Sequence, residues 1–219
     1  NLVDAILRDG HEIGHHGYIH EHPNELSYDR EEYWLCRAID VFERYTGSRP
    51  IGYRAPSYRF SRNTLPLLLK HGFRYDASLF GDDVPYLLSD GNSWLVELST
   101  HYAMEDWAHY MVARDLNYMM PIKAPSHAIE VYRSEFDSAW RHGALWITVW
   151  HPFLSGRLAR LEAISDLIEY MHEKGGVWFA TLGEIASHIE KLVETGAWSP
   201  RVEVFPQYPT PIPELENGL

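Results

Sequence analysis

The feature that most constrains this chain is the alternation of short β-like runs with amphipathic helical segments from end to end. Leu2 to Arg8 carries apolar residues at helical spacing and stops at Gly10, and a short Glu12-Ile13-Gly14 strand follows. Asp29 to Tyr45 predicts a long amphipathic helix, with Asp29 as N-cap, Leu35, Ile39 and Phe42 on one face and Gly47 at its end. Ile51 to Tyr53, Phe73 to Asp76 and Trp94 to Leu98 are strand-like, and Ser61 to His71 between them is helical. A helix from about Glu130 to His142 leads into Ala144 to Trp150, an apolar run of the kind a strand shows when both its faces are buried. Leu158 to Lys174 is helical, Gly175-Gly176 turns the chain, Val177 to Thr181 is a strand, and Leu182 to Val193 is the last helix. Such β then α order implies parallel strands with helices outside, an α/β barrel or a distorted one. From Gly196 the periodicity stops, and Pro200 to Pro213 predicts an extended proline-rich tail. The expected organisation is therefore a domain over 1–195 and a tail over 196–219.

Charge and cysteine content exclude several function classes. With 31 acidic against 19 basic residues the formal charge is −12, which disfavours nucleic acid or an anionic membrane as partner. No apolar run approaches the roughly 20 residues of a bilayer span. The one cysteine, Cys36, rules out an internal disulfide framework and leans towards a reducing compartment such as the cytoplasm. Cys36 sits inside the long helix as a packing residue, and Glu31-Glu32 nearby predicts a solvated face.

The residues able to do chemistry fall at the ends of predicted strands, where parallel α/β folds build their sites. His16-Gly17-Tyr18-Ile19-His20 places two imidazoles four residues apart beside a glycine, able to hold one metal ion from one side. Arg54 follows the second strand, Asp76 ends another, and His151 follows the apolar run. Among the tryptophans, Trp34, Trp94, Trp107, Trp146 and Trp150 divide between core positions and stacking on a ligand ring.

Six blocks in order, His16-Gly-Tyr-Ile-His20, Gly52-Tyr-Arg54-Ala-Pro56, Tyr75-Asp76-Ala-Ser78-Leu, Asp82-Asp83-Val-Pro85-Tyr86, Glu105-Asp106-Trp107 and Trp150-His151-Pro152-Phe-Leu-Ser-Gly156-Arg157, resemble those of the NodB-homology polysaccharide deacetylases, carbohydrate esterase family 4. The resemblance covers residues 1 to about 193 and points to the branch with peptidoglycan-deacetylase-like and allantoinase-like proteins. It implies a distorted, here incomplete, seven-stranded β/α barrel and a divalent metal, usually zinc. By the same resemblance, His16 and His20 are metal ligands, His151 is the general acid, Arg54 orients a catalytic carboxylate and Asp76 orients His151. Tyr18, Pro56, Trp107 and Trp150 are the positions it turns towards substrate. The implied activity is metal-dependent hydrolysis of a non-peptide C–N bond, removing acetyl groups from N-acetylated sugars or polysaccharide, with an allantoinase-like action on a small amide as the alternative.

The family's first block, an Asp-Asp pair giving base and third ligand, has no counterpart here, because Asp4 and Asp9 belong to a helix before the first strand. Two histidines alone bind zinc weakly or not at all, with solvent, His15 or His11 filling in. The expectation is that a segment upstream of Asn1 or a second chain supplies the block, or that the chain is an inactive, binding-only remnant. A barrel short of its first strand exposes an apolar edge, which predicts cover by the tail or by a partner, as in a homo-oligomer.

Overall fold

The helices form where apolar residues recur at helical spacing and stop where glycine permits a left-handed turn. The computed structural model describes residues 2–115 and 117–206. In chain order its helices are α1 (Leu2–Arg8), α2 (Tyr28–Thr46), α3 (Thr64–Lys70), α4 (Trp107–Tyr110), α5 (Pro125–His142), α6 (Pro152–Ser155), α7 (Leu158–Lys174) and α8 (Leu182–Glu194). The strands are β1 (Gly52–Tyr53), β2 (Tyr75–Asp76), β3 (Tyr86–Ser89), β4 (Trp94–Glu97) and β5 (Val202–Val204). None of the described helices is long and apolar enough to cross a membrane. Among the described residues, one compact unit holds 2–79, 85–98 and 181–206, and a second holds 80–84, 99–115 and 117–180.

The first unit is built on a sheet of order β1-β2-β4-β3-β5. β1, β2 and β4 run parallel, β3 lies antiparallel to β4, and β5 is parallel to β3. Leu35 and Ile39 from α2, Leu65, Leu67 and Leu68 from the α3 region, and Tyr53, Phe73, Tyr86, Leu88 and Leu95 from the sheet side make one core. Glycine is required at Gly52, where a Cβ would stand 1.8 Å from the Tyr75 ring. That ring crosses β1 to donate its hydroxyl to Glu12 Oε1 at 2.9 Å, and Glu12 Oε2 accepts the Gly183 N–H at 2.8 Å. α8 opens with a capping box: Thr181 Oγ1 accepts from the Glu184 N–H at 3.2 Å and Glu184 Oε2 accepts from the Thr181 N–H at 2.7 Å.

Several expectations are corrected. The N-cap of α2 is Ser27 rather than Asp29, while Gly47 closes the helix at φ 75° as expected. Glu12 to Gly14 is not a strand, since pairing there is confined to a single bridge from His15 to Tyr53. The 196–219 segment is not simply a tail: Val202–Val204 pairs with Leu87–Ser89 and Phe205 packs on the core, while 207–219 lie outside the described residues. Glu31 is not solvated. It is buried and accepts hydrogen bonds from Ser61 Oγ (2.6 Å) and Thr64 Oγ1 (2.5 Å) at the start of α3. Burial raises its pKa against those hydrogen bonds. Glu31→Ala leaves both hydroxyls without their acceptor and is expected to cost about 1–3 kcal/mol, read as a shift in urea midpoint at constant slope.

In the second unit α5 and α7 pack around Met104, Tyr110, Tyr132, Phe136, Leu154, Leu167 and Met171. Ala144 to Trp150 is half-buried rather than buried on both faces, and its ladder is one bridge, Val149 to Glu105. Val177 to Thr181 also forms no strand among the described residues, and Trp178 and Phe179 there are exposed. Apolar, β-branched composition marks the capacity to pair, but a strand exists only where a partner's backbone lies alongside.

Candidate functional site

In the first unit the chemistry-bearing residues gather around the turn that follows His15. The His15 N–H donates to the Gly52 carbonyl and the Arg54 N–H to the His15 carbonyl, both at 2.9 Å, so this backbone is laid against β1. His16 leaves on the same side as Arg54, and its Nδ1 donates to the Arg54 carbonyl at 2.8 Å. Because a carbonyl only accepts, that bond places a ring hydrogen on Nδ1, and Nε2 is the ring atom that would serve as a metal ligand. His20 returns to the same place, its ring 5.0 Å from that of His16.

The turn between them is held under strain. Gly17 has φ 75° and a Cβ there would meet Pro56 Cγ at 2.8 Å, so Pro56 seats the turn rather than presenting itself outward. His20 adopts φ 60°, a left-handed conformation costly for a residue with a side chain. Glu21 compensates: its carboxylate accepts the N–H of Tyr18 at 3.1 and 3.0 Å and of Ile19 at 2.9 Å. Glu21 is a support of this turn that sequence reasoning passed over, although it directly follows His20. Tyr18, partly exposed, stacks on Trp34 at 5.5 Å, and the Arg37 guanidinium lies over the Tyr18 ring at 5.3 Å.

His15 is removed from the candidate ligands. Its ring is buried among Phe42, Tyr53 and Phe73, with Nε2 donating to the Leu35 carbonyl at 3.3 Å and Nδ1 accepting from the Gly17 N–H at 3.2 Å. Burial pushes its pKa down to about 4, so it is neutral and structural. His11 is exposed. The donor chemistry of His16 and His20 thus fits two positions of a zinc-type ligand set, and among the described residues no third His, Cys, Asp or Glu completes a group with them.

Arg54 directs Nε to the Ala77 carbonyl at 2.7 Å, while its buried Nη2 has no hydrogen-bond partner among the described residues. An unmatched guanidinium nitrogen is a donor waiting for an anionic group. Asp76 lies fully buried beneath it in sequence order, accepting from Ser78 Oγ at 2.7 Å and the Ser78 N–H at 3.0 Å. Asp76 stands in register with Glu97 on the neighbouring strand, and both carboxyls are fully buried.

In the second unit His151 begins α6 and is held by Asp106, not by Asp76 as the resemblance implied. Asp106 is fully buried and accepts three hydrogen bonds: His151 Nδ1 at 2.6 Å, the His151 N–H at 2.8 Å and Ser155 Oγ at 2.5 Å. Nδ1 is held by Asp106, and Glu105 lies 4.0 Å from Nε2, the other ring nitrogen. Trp107 sets its ring against His151 at 5.8 Å and Phe153 at 6.4 Å. Trp150 is partly buried and packs against the core, its ring 6.3 Å from that of Tyr132.

The chain is similar to known polysaccharide deacetylases. Residues 1–75 match a family model described as polysaccharide deacetylase. The peptidoglycan deacetylase of Helicobacter pylori is 31% identical, the match covering 87% of this chain and 72% of that protein. A crystal structure assigned as a polysaccharide deacetylase from Mycobacterium smegmatis superposes with a TM-score of 0.84 at 37% identity, over 94% of this chain and 71% of the other. The crystal structure of Puue allantoinase gives 0.75 at 25% identity, over 90% and 64%. The NodB-type α/β fold expected from the sequence is shared with these chains, although the sheet among the described residues is open.

Proposed function

The chain belongs to the polysaccharide deacetylase family, and from that premise we propose that it is a metal-dependent hydrolase that removes acetyl groups from N-acetylated sugars of a peptidoglycan-like polymer. The observation that carries this is the Asp106-His151 pair. A fully buried carboxylate fixing one imidazole nitrogen leaves the other as a proton donor of set direction. Acyl transfer from an amide needs such a donor, because the amine departs only when its nitrogen is protonated. His151 Nε2 supplies that proton, and Trp107 sets its ring edge-on against the imidazole.

His16 and His20 would each offer a ring nitrogen to the metal, and the stacked Tyr18–Trp34 pair, with Arg37 over Tyr18, would meet a sugar along its exposed edge. A bound divalent ion supplies polarisation of the amide carbonyl and a water of lowered pKa. Arg54 presents its unmatched Nη2 to an anionic group, which fits the orientation of a carboxylate.

The test is acetate release from N-acetylglucosamine oligomers and from peptidoglycan, with protein loaded with zinc or cobalt. Acetate is expected with the metal, and its loss on chelation and in His151→Ala. Consumption of allantoin with no acetate from either polymer would transfer the chain to the small-amide reading, and no turnover of any of the three would overturn hydrolysis itself.

A further inference from the structure

The solvated face expected at Glu32 and the packing role expected of Cys36 do not describe what the structure shows there. Glu32 and Cys36 are one turn apart on α2 and so share a face. His71, the residue that closes α3, is brought against that face. Its Nε2 lies 2.7 Å from Glu32 Oε1 and 3.8 Å from Cys36 Sγ, and the three donor atoms lie within 4.8 Å of one another. All three residues are half-buried, and no other His, Cys, Asp and Glu trio of this kind occurs among the described residues.

We propose that Glu32, Cys36 and His71 form a second metal site, distinct from His16 and His20, that takes a thiophilic divalent ion such as zinc. One thiolate, one imidazole and one carboxylate are a donor set that selects zinc or cobalt over calcium or magnesium, which take oxygen alone. Around a tetrahedral ion with bonds of about 2.0–2.3 Å, ligand atoms stand about 3.3–3.7 Å apart. The observed separations bracket that range, so side-chain rotations that move the donor atoms by about half an ångström to an ångström complete the site.

Lys70 Nζ also lies 2.7 Å from Glu32 Oε1. Lys70 is more than half exposed and swings to solvent when the ion arrives, leaving the fourth position to water. Cys36 enters as a thiol, since burial and the nearby charges of Glu32 and Asp40 push its pKa up. Binding therefore replaces the S–H bond with an S–metal bond and releases that proton to solvent, while the hydrogen that His71 Nε2 directs at Glu32 moves to Nδ1 so that the Nε2 lone pair meets the ion, with no change of oxidation state. The ion ties α2 to α3, whose preceding loops carry His20 and Arg54 respectively, so occupancy braces the segments on which the proposed deacetylase centre depends. The site itself does not rest on that activity.

Cobalt titration of the full chain tests it. Cys36 is the chain's one cysteine, so a thiolate-to-cobalt charge-transfer band in the near ultraviolet reports this site and is silent about His16 and His20. The expected result is a band that saturates at one equivalent, is displaced by zinc, vanishes in Cys36→Ser and needs about tenfold or more cobalt in His71→Ala and Glu32→Gln. Melting curves in chelator establish that each variant is folded. Absence of the band in the folded unaltered chain would overturn the proposal, and so would a band of unchanged affinity in both His71→Ala and Glu32→Gln, which would mean that a lone thiol binds the ion.

Discussion

Asp106→Asn is expected to lower kcat for acetate release by about 10²–10⁴-fold while the protein stays folded, because the amide cannot hold His151 in the orientation and tautomer that general-acid catalysis needs. Asp106 accepts from both the ring and the backbone of His151 and from Ser155 Oγ. Replacing one oxygen by NH₂ sets a donor against a donor on at least one of these. The imidazole then rotates or binds its proton on the other nitrogen, and the fixed direction of Nε2 is lost. Ser155→Ala removes one of the three bonds and leaves His151 in place, so its loss should be near fivefold, about 1 kcal/mol. Proton NMR distinguishes an effect on the histidine from a general loosening: the low-field signal of the His151 Nδ1 hydrogen should be present in the unaltered chain and in Ser155→Ala and missing in Asp106→Asn. Asp106→Asn with nearly full kcat would remove His151 from the reaction.

The pairing of Asp106 with His151 also shows why parts of the site could not be read from sequence. The two are 45 residues apart, and Glu105-Asp106-Trp107 gives no local sign of which histidine it meets. His16 and His20 were legible because their spacing and their turn lie within one short segment. Asp76 was legible as a carboxylate at a strand end, but its partner is set by strand register, which no local pattern states. Glu97 is the polar residue of an alternating strand and so suggests an exposed face, yet it is fully buried. Helices fared better than strands for the same reason. α1 and α7 match their expected limits because apolar spacing and glycine stops are local properties. β3 was hidden beside Asp82-Asp83-Val-Pro85, and β5 inside a proline-rich stretch whose prolines flank Val202–Val204 without interrupting it.

The same register governs the second large effect. Asp76 and Glu97 are both fully buried side by side, with Leu79 N–H donating to Glu97 Oε1 at 2.9 Å and Glu97 Oε2 buried without a hydrogen-bond partner. Burial is the first cause that raises both pKa values, and the charge of Asp76 raises Glu97 further, while Ser78, the Leu79 N–H and Arg54 oppose it. Two carboxyls in this position keep one proton between them at pH values where both would ionise in water. A folded pKa above the unfolded one means that the native state holds more protons, so this contribution to stability is complete below the ordinary carboxyl range and is lost as pH rises through the raised folded values. Unfolding free energy of the unaltered chain, from urea titrations at pH 5, 7 and 9, is thus expected to fall across that series. Glu97→Gln carries a permanently neutral group of the same shape that donates to Asp76, so its stability should fall less, with the difference widest at pH 9. Asp76→Ala, in contrast, strips Ser78 of two acceptors and leaves Glu97 alone in the core, at an expected cost of about 3–5 kcal/mol at pH 7. A Glu97→Gln slope equal to that of the unaltered chain would show that the pair does not hold the shared proton, and Arg54 alone would then have to balance two buried negative charges with a guanidinium whose Nη2 touches neither.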